Sequence, residues 1–335
     1  MRRIGLVVNP TAGGGLGKDV GARFARAATD VGLAVVGLSA LSADVALENV
    51  RRELPRLDAL VVIGGDGMVH LGVQAAALTE VPLGVIPVGT GNDFAAATRI
   101  PTDSEAASDA LLRRLVDGIE PRVIDLLRVE GDGVAGEGPL RWVAGAVSAG
   151  LDAAVNARAN RMRFPRGSSK YVWAAIREIL SYRAWGYRLQ VDGAIVSPSQ
   201  HVELEQFPGM LVTAGDSAGE CALTWENRGA LATAANASTI GGGIRVAPNA
   251  RIDDGVLELV IARDVGALTA ARLFPMMLMG THLRSTQLRA ITAKAVSISP
   301  ADDATHRPDV YGDGEYIGTL PVRVELVPRA LRLLA

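Results

Sequence analysis

Three short loops rich in glycine and small polar residues each follow a strand-like run in the first third of the chain. They cover residues 9–17, 64–67 and 89–92. Glycines in such loops let backbone N–H groups turn toward an anion at the start of a helix. The carboxylate of Asp66, in the second loop, can also hold Mg²⁺ directly or through water. The loops therefore predict phosphate binding beside a metal ion, with plain strand–turn–helix corners as the alternative.

The first loop matches neither of two familiar phosphate-binding motifs. A Walker A loop needs Ser or Thr after Gly-Lys, whereas Asp19 follows Lys18 here, and Ala12 replaces the first glycine. The dinucleotide pattern G-x-G-x-x-G fails in every register from Gly13 to Gly17. On this loop alone, a phosphate loop of another kind and a simple tight turn stay equally open.

Length and composition limit the classes of partner. A chain of 335 residues with 49% hydrophobic residues predicts two domains with packed cores. The net charge of -2 argues against nucleic acid as the main partner. Cys221 is the single cysteine, which excludes an internal disulfide and a cysteine-based zinc site. The apolar runs are shorter than the roughly 20 residues that span a bilayer, so we expect a cytoplasmic protein.

The elements around the three loops alternate between strand and helix. Strands are predicted at residues 4–8, 33–38, 59–63 and 82–88, and helices follow them, including one capped by Ser42 and others at 68–78 and 105–116. This alternation predicts an open, Rossmann-like α/β sheet, and its loops would lie along the carboxyl edge where such sheets bind ligands.

From about residue 123 strand-like runs dominate, which predicts a second, mostly antiparallel β domain. The runs are residues 142–147, 188–191, 231–235, 244–247, 256–261, 296–298 and 322–327. Helices are predicted only at 170–182 and at 265–279, the latter kinked at Pro275. We therefore place an α/β domain at residues 1–127 and a β-rich domain at residues 128–324.

The loops and further motifs resemble the diacylglycerol kinase catalytic-domain family, which also contains sphingosine kinases, ceramide kinases and small bacterial lipid kinases. The matching segments are Asn9-Pro-Thr-Ala-Gly13, Gly64-Gly-Asp-Gly67, Pro87-Val-Gly-Thr-Gly-Asn-Asp-Phe94, Ser148-Ala-Gly-Leu-Asp152, Gly241-Gly-Gly243, Ala247-Pro-Asn-Ala250, Asp253-Asp-Gly-Val-Leu257 and Asp313-Gly-Glu315. Their order and spacing hold over nearly the whole chain.

The resemblance implies a lipid kinase that transfers the γ-phosphate of ATP to a lipid hydroxyl. Diacylglycerol, giving phosphatidic acid, is the first acceptor, with sphingosine and ceramide behind it. Nucleotide contacts would fall on Asn9, Pro10, Thr11, Ala12, Gly13, Ser39, Gly64, Gly65, Asp66, Gly67, Met68, Gly89, Thr90 and Asn92. The C-terminal segment 325–335 would return to the first domain.

The resemblance also implies the reacting groups and two Mg²⁺ ions. Asp313 matches the proposed general base, with Glu315 beside it, and Asp66 is a rival for that role. One Mg²⁺ would accompany ATP near Asp66. A second, structural ion would be held by Asp254 and by the backbone carbonyls of Arg251 and Val256.

Two departures leave alternatives open. The family pattern after Gly67 carries a hydroxyl and a carboxylate, whereas this chain has Met68 and, three positions on, Leu71. A catalytically degenerate relative that binds lipid or nucleotide is therefore one alternative. A NAD kinase or sugar kinase is another, less consistent with the loops at 9–13 and 89–94.

The acceptor requires access to a membrane surface. The segment 158–170 carries Arg158, Arg161, Arg163, Arg166 and Lys170, with Met162 and Phe164 between them. Basic residues are attracted to anionic headgroups, and apolar neighbours can insert shallowly. We therefore expect peripheral binding at the inner face of the membrane, with a solvated surface as the alternative. The sequence leaves a homodimer open.

Overall fold

The structure is a computed structural model that describes residues 2–89, 91–135, 140–162, 164, 169–181, 183–213, 220–301 and 307–335. The chain divides into two compact units. The first contains Met1–Leu126 and Pro328–Ala335, and the second contains Leu127–Val327. Two strands, β5 (Arg122–Glu130) and β16 (Val322–Leu334), each begin in one unit and end in the other.

The first unit alternates strands and helices, and the predicted α/β class is confirmed. Its elements are β1 (Arg3–Val8), α1 (Leu16–Asp30), β2 (Ala34–Gly37), α2 (Ala43–Glu53), β3 (Ala59–Gly64), α3 (Asp66–Ala76), β4 (Leu83–Pro87), α4 (Asp93–Thr98) and α5 (Ser104–Asp117). Ser42 caps α2 by accepting from the N–H of Val45 at 3.3 Å. The helix predicted from residue 68 begins earlier, at Asp66, because the carbonyl of Gly65 already accepts from Met68 and Val69.

Strands β2, β1, β3 and β4 lie side by side in that order and run parallel, and the end of β16 pairs parallel with β4. Every residue of β3 is buried, as expected for a central parallel strand covered on both faces. Because β2 lies on one side of β1 and β3 on the other, the strand order reverses between β1 and β3. Open α/β sheets bind ligands at such a switch point, outside the carboxyl ends of the strands.

The second unit is mostly an antiparallel sheet, also as predicted. Its remaining strands are β6 (Leu140–Val143), β7 (Ala146–Gly150), β8 (Trp185–Ile195), β9 (Met210–Val212), β10 (Glu220–Ala235), β11 (Leu257–Arg263), β12 (Leu288–Ala293), β13 (Ala295–Pro300), β14 (Asp309–Gly312) and β15 (Glu315–Thr319). Its helices are α6 (Leu151–Arg161), α7 (Ser169–Leu180), α8 (Pro198–Glu205) and α9 (Ala267–Met279).

The long strand β10 organises this sheet by changing partners near Gly229. Its first part pairs with β8 and β9, and its last part pairs with β7 and β11. Strand β7 in turn pairs with β14, which forms a hairpin with β15. The core beneath contains the fully buried Tyr187 and Trp225, whose rings stack at a centroid distance of 6.3 Å.

Two predicted strands differ from the structure. The run 142–147 is split into β6 and β7, because the N–H groups of Ala144 and Gly145 bond to the carboxylate of Asp313 instead of a neighbouring strand. The run 244–247 is not a strand. It makes one isolated bridge, and the carbonyl of Val246 is bonded to the buried ring of His282 at 3.0 Å.

Candidate functional site

The loop after β1 is held in a conformation that only glycine adopts readily. Gly13, Gly14 and Gly15 have φ values of 59°, 73° and 108°, in the left-handed region. Before them, the Oδ1 of Asn9 accepts from the N–H and the hydroxyl of Thr11, at 3.0 and 2.8 Å. This loop leads directly into α1, so its backbone N–H groups lie at a helix N-terminus, where anions are stabilised.

The loops after β1, β3 and β4 meet at the switch point. The N–H of Asn9 bonds to the carbonyl of Ile63 at 3.0 Å, which ties the first loop to the end of β3. A Cβ built on Gly89 would lie 3.0 Å from the Cα of Gly65, and one built on Gly13 would lie 2.9 Å from Val88. Glycine is therefore required where these backbones approach one another.

Asp66 lies where the second and third loops meet. It is the first residue of α3, is half-buried, and its Oδ2 lies 2.8 Å from a Cβ built on Gly91. Beside it, Asn92 has a φ of 52° and donates from Nδ2 to the carbonyl of Gly89 at 3.1 Å. The buried Oδ1 of Asn92 has no hydrogen-bond partner. A carboxylate thus stands among closely packed glycine loops.

A second group of the residues predicted to contact the nucleotide lies on the other side of β1. Pro10 and Ser39 line one pocket of about 420 Å³ together with Lys18. The hydroxyl of Ser39 accepts from the N–H of Val8 at 2.9 Å and so fixes the end of β2 against β1. Thr90 lies outside the described residues.

The remaining residues predicted to contact the nucleotide lie in the same loops or directly beside them. Ala12 lies in the helical turn of the first loop, and Gly67 is exposed in the first turn of α3. Met68 packs against Gly64, whose built Cβ would lie 2.5 Å from its Cγ. Leu71 is buried in α3, so the position that departs from the family pattern belongs to the packed core. The predicted Asp313, Glu315, Arg251, Asp254 and Val256 all belong to the second unit.

Asp313 forms the turn between β14 and β15 and is bonded to backbone. Asp313 and Gly314 have φ values of 51° and 83°, as an Asp-Gly hairpin turn requires. The Oδ2 of Asp313 accepts from the N–H of Ala144 at 2.7 Å. Its Oδ1 accepts from Gly145 and Ala146, at 2.8 and 3.2 Å. This carboxylate therefore holds the segment between β6 and β7 in place.

Glu315 follows the turn and is exposed. The side-chain amide of Asn160, in the last turn of α6, donates to the carbonyl of Gly314 at 2.7 Å. On the same hairpin, Tyr311 and Tyr316 form an edge-on ring pair at 5.6 Å. Burial raises the pKa of Tyr311, as does the charge of Asp309, so its hydroxyl stays protonated. The sequence carried no signal for Asn160, because its partner lies 154 positions away.

The residues of the predicted structural metal site present the oxygen ligands that Mg²⁺ prefers. Asp254 is exposed, and its carboxylate accepts from the N–H of Val256 at 3.3 Å. Close by, the Oε2 of Glu258 is buried with no hydrogen-bond partner. Burial raises the pKa of Glu258, and the charge of Asp254 raises it further. A cation at this loop would relieve that repulsion, so the residues fit the ion.

Side chains alone do not complete a metal site here. Among the described residues, no group of three or more His, Cys, Asp or Glu side chains is arranged to hold a metal ion. A site at 251–256 therefore depends on backbone carbonyls, as the resemblance implies for Arg251 and Val256.

Asp152, in the first turn of α6, is a buried carboxyl that the sequence identified only as part of a motif. Burial raises its pKa to about 6, while hydrogen bonds from Thr233, Ser148 and the N–H of Ala153 act in the opposite direction. Ser148 and Thr233 are paired directly across β7 and β10, so two neighbouring strands each provide a hydrogen bond to the carboxyl of Asp152. The motif residue thus fixes α6 to the sheet.

Part of the predicted membrane segment can be placed. Arg158 is paired with Glu178, and Phe164 is highly exposed, whereas Arg163 and Arg166 lie outside the described residues. The outer face of the next helix, α7, carries exposed apolar side chains at helical spacing: Trp173, Ile176 and Leu180. In the described ranges no helix is long and apolar enough to cross a bilayer.

Both halves of the chain match family models. The model of the diacylglycerol kinase catalytic domain matches residues 3–123, and that of the YegS C-terminal NAD kinase beta sandwich-like domain matches residues 145–335. Over 278 residues the chain is 33% identical to a diacylglycerol kinase of Mycobacterium tuberculosis. That alignment covers 83% of this chain and 76% of the relative.

Solved structures share the fold. A crystal structure of a diacylglycerol kinase from Bacillus anthracis superimposes with a TM-score of 0.65 at 15% identity, over 99% of this chain and 96% of that one. Yeast NADH kinase in complex with NADH gives a TM-score of 0.50 at 9% identity, over 99% and 82% of the two chains. At these identities the likeness concerns the fold alone.

Proposed function

Because the chain belongs to the family of diacylglycerol kinases and YegS-type lipid kinases, we propose that it transfers the γ-phosphate of ATP to a lipid hydroxyl. We further propose that the lipid is diacylglycerol and the product phosphatidic acid. The convergence of three glycine loops around Asp66 at the switch point of the first sheet carries this proposal. Phosphoryl transfer depends mainly on positioning and on neutralising charge, and such loops provide both.

ATP is bound by the first unit. The N–H groups of the loop at 9–15 and of the start of α3 face the phosphates, where the helix N-termini also favour negative charge. Asp66 binds the Mg²⁺ that arrives with ATP. The pocket beside Pro10 and Ser39 is large enough to receive another part of the nucleotide. Thr90 and Asn92 complete the predicted contacts from the third loop.

The second unit supplies the group that orients the lipid hydroxyl. Asp313 is committed to three backbone N–H groups, so we assign it to holding the turn. The neighbouring Glu315 is exposed, and we assign it the role of accepting the hydroxyl proton. This assignment differs from the sequence-based expectation, which gave Asp313 the role of base.

A structural Mg²⁺ is proposed at the loop 251–256. Asp254 would bind it through its carboxylate, with the carbonyls of Arg251 and Val256, and Glu258 lies close enough to add negative charge. The ion would neutralise this acidic loop and fix its conformation.

The protein reaches its lipid substrate by contacting the membrane surface with helix α7. Its exposed Trp173, Ile176 and Leu180 form one apolar face, which Lys170 and Arg177 flank. An amphipathic face with tryptophan and basic residues is typical of helices that lie in the interface of a bilayer. Basic residues near anionic headgroups each contribute about 1 kcal/mol.

The direct test is an acceptor comparison. The purified protein is incubated with Mg²⁺, ATP labelled in the γ-phosphate, and mixed micelles of diacylglycerol, ceramide or sphingosine, with NAD as a soluble acceptor in parallel. We expect transfer mainly to diacylglycerol. Preferred transfer to a sphingoid lipid would correct the acceptor. Transfer to NAD alone, or to nothing, would contradict the proposal and favour the NAD kinase or degenerate alternatives.

A further inference from the structure

Tyr171, near the start of α7, lies between a glycine motif and the turn that carries the proposed base. Its ring lies against Gly241, because a Cβ built on that glycine would lie 3.3 Å from the Cδ1 of the ring. Its hydroxyl lies beside the turn between β14 and β15, 3.8 Å from a Cβ built on Gly314. The next residue of the chain is Glu315, the group proposed to accept the hydroxyl proton. One side chain thus joins two motifs to which it does not itself belong.

The ring of Tyr171 is held in place by its surroundings. It packs against a small apolar cluster of α6 and α7 that consists of Val155, Ala159, Ala174 and Ala175. The ammonium of Lys170 lies 4.9 Å from the ring centroid, within the range of a cation–π contact. A tyrosine has few rotatable bonds, so a ring fixed in this way also fixes the position of its hydroxyl.

Gly241 permits this contact by its conformation and by its small size. Its φ is 53°, in the left-handed region that glycine adopts without steric cost. A Cβ at 3.3 Å from the ring would be closer than the optimal separation of two carbon atoms, so the ring would have to move. Gly243 also has a positive φ, 99°, but a Cβ there would meet no atom of the described residues within 4 Å. The two glycines therefore separate backbone strain from the position of the ring.

A phenolic hydroxyl beside this turn can supply what the proposed base cannot. In diacylglycerol the reacting hydroxyl lies next to an ester, whose carbonyl oxygen can only accept a hydrogen bond. The carboxylate of Glu315 also only accepts, so it cannot bind that carbonyl. The hydroxyl of Tyr171 can donate. A few polar groups of this kind fix the orientation of a ligand in a largely apolar site.

We propose that the hydroxyl of Tyr171 donates a hydrogen bond to the ester carbonyl next to the reacting hydroxyl, and so selects ester-linked glycerolipids as acceptors. The inference rests on the proposed lipid kinase function and adds a residue that recognises the headgroup. An enzyme discriminates between substrates by hydrogen bonds that it makes to one and not to the other. An ether-linked analogue, with the same reacting hydroxyl and no carbonyl, is therefore the poorer acceptor.

The test compares two acceptors that differ only in the carbonyls, dioctanoylglycerol and its ether analogue dioctylglycerol, each in mixed micelles with ATP and Mg²⁺. The measured quantity is the ratio of kcat/KM for the ester to that for the ether. Tyr171→Phe keeps the ring and removes the hydroxyl, so it should lower this ratio about fivefold or more and leave the KM for ATP unchanged. Gly241→Ala, which displaces the ring, should also lower the ratio, whereas Gly243→Ala should leave it at the wild-type value.

Tyr187→Phe is the control for the loss of a tyrosine hydroxyl as such. The hydroxyl of Tyr187 donates to the carbonyl of Ala149 at 3.1 Å inside the core. This variant should unfold at a lower urea concentration and keep the wild-type ratio of ester to ether. A purely structural Tyr171 would affect both acceptors equally, so an unchanged ratio in an active Tyr171→Phe variant would overturn the inference.

A binding measurement separates this inference from the proposed activity. Tritiated dioctanoylglycerol is bound without ATP and displaced by unlabelled dioctanoylglycerol or dioctylglycerol. The wild-type protein should need about fivefold more of the ether for half-displacement, and Tyr171→Phe should need equal amounts of the two lipids. Should the wild-type protein phosphorylate no lipid, the proposed function would fail, and this preference would still support the role of Tyr171. With an inactive wild-type protein, equal displacement by both lipids, or no binding, would overturn the inference.

Discussion

The side-chain amide of Asn160 donates to the carbonyl of Gly314 at 2.7 Å, which joins the end of α6 to the turn that precedes Glu315. On its other side the turn is held by the carboxylate of Asp313, which accepts from three backbone N–H groups. Glu315 is therefore presented by a turn fixed from two directions. Its position depends on groups that do not themselves react.

Removing the amide should loosen the turn and slow the reaction. A hydrogen bond of this kind contributes about 1 kcal/mol, so Asn160→Ala should lower kcat about fivefold and leave the KM for ATP unchanged. Asn49→Ala is the control, because Asn49 lies on α2 of the first unit, where its side chain accepts from the nearby Arg52. Equal kcat values for Asn160→Ala and wild type would show that the contact does not position the turn.

Replacing the carboxylates of Asp313 and Glu315 by uncharged amides should affect different properties: the Asp313 variant should lose stability, and the Glu315 variant should lose activity. Asp313→Asn turns an NH₂ group toward backbone N–H donors, so it should lower the free energy of unfolding by about 1–3 kcal/mol. Glu315→Gln changes an exposed side chain and should leave stability within about 0.5 kcal/mol, yet reduce kcat by about 10²-fold or more. Urea unfolding and steady-state kinetics on both variants check this. A fully active Glu315→Gln would return the role of base to Asp66 or Asp313.

The space beside the carboxylate of Asp66 should determine the KM for ATP–Mg²⁺. In Gly91→Ala the new Cβ would lie 2.8 Å from the Oδ2 of Asp66, so the carboxylate has to move. We expect a rise in the KM for ATP–Mg²⁺ of about tenfold, with little change in stability, because a side-chain end can shift cheaply. Gly37→Ala, where a Cβ meets no atom within 4 Å, is the control. The same KM in both variants would argue against Asp66 as the site of the nucleotide's metal ion.

The outer face of α7 should determine binding to lipid. The double substitution Trp173→Ser and Leu180→Ser removes two exposed apolar side chains from this face. Binding to vesicles of phosphatidylcholine and phosphatidylglycerol should weaken about tenfold or more, as expected for the loss of about 1.5 kcal/mol of apolar burial. Leu41→Ser, at a fully exposed leucine of the first unit, serves as the control. If vesicle sedimentation gave the same binding for the double variant and for the wild-type protein, α7 would be excluded as the membrane contact.

The buried carboxyl of Asp152 should make stability depend on pH. Its pKa is raised from 3.8 to about 6, so the folded protein holds this proton more tightly than the unfolded chain. The stabilisation is greatest below about pH 4 and is lost as the pH rises to about 6, a change of about 3 kcal/mol. Asp152→Asn, which does not titrate, should therefore gain stability relative to wild type between about pH 4 and pH 7. Urea unfolding at both pH values measures this, and a difference independent of pH would contradict it.

The sequence predicted the part of the fold that short-range patterns encode. Alternating apolar runs and glycine loops are local patterns in the sequence. They were therefore sufficient to predict the parallel sheet and the loops at Asn9, Asp66 and Asn92. The capped start of α2 at Ser42 also followed. In the second unit the run at 244–247 has the composition of a strand. It is an irregular segment because Val246 bonds to His282, 36 positions away.

The finer site could not be predicted, because it depends on contacts distant in sequence. The carboxylate of Asp313 is bonded to N–H groups 167–169 positions away, and these contacts, which no local pattern reveals, are the reason for proposing Glu315 as the base. Helix α6 was missed altogether, since most of its apolar residues are alanines, which give only a weak helical pattern. A small apolar pocket in the second unit is lined by residues of α6, α7 and α9, and no local sequence pattern reveals a space that separate segments enclose.

The central claim is tested most directly by following the γ-phosphate itself. Wild-type protein, Asp66→Asn and Glu315→Gln are each mixed with Mg²⁺, γ-labelled ATP and diacylglycerol in mixed micelles, and the label in the extracted lipid is counted over time. We predict labelled phosphatidic acid with the wild-type protein, and a loss of about 10²-fold or more with each variant, both of which remain folded. Label that never enters the lipid with wild-type protein, or that enters equally with all three, would contradict the account.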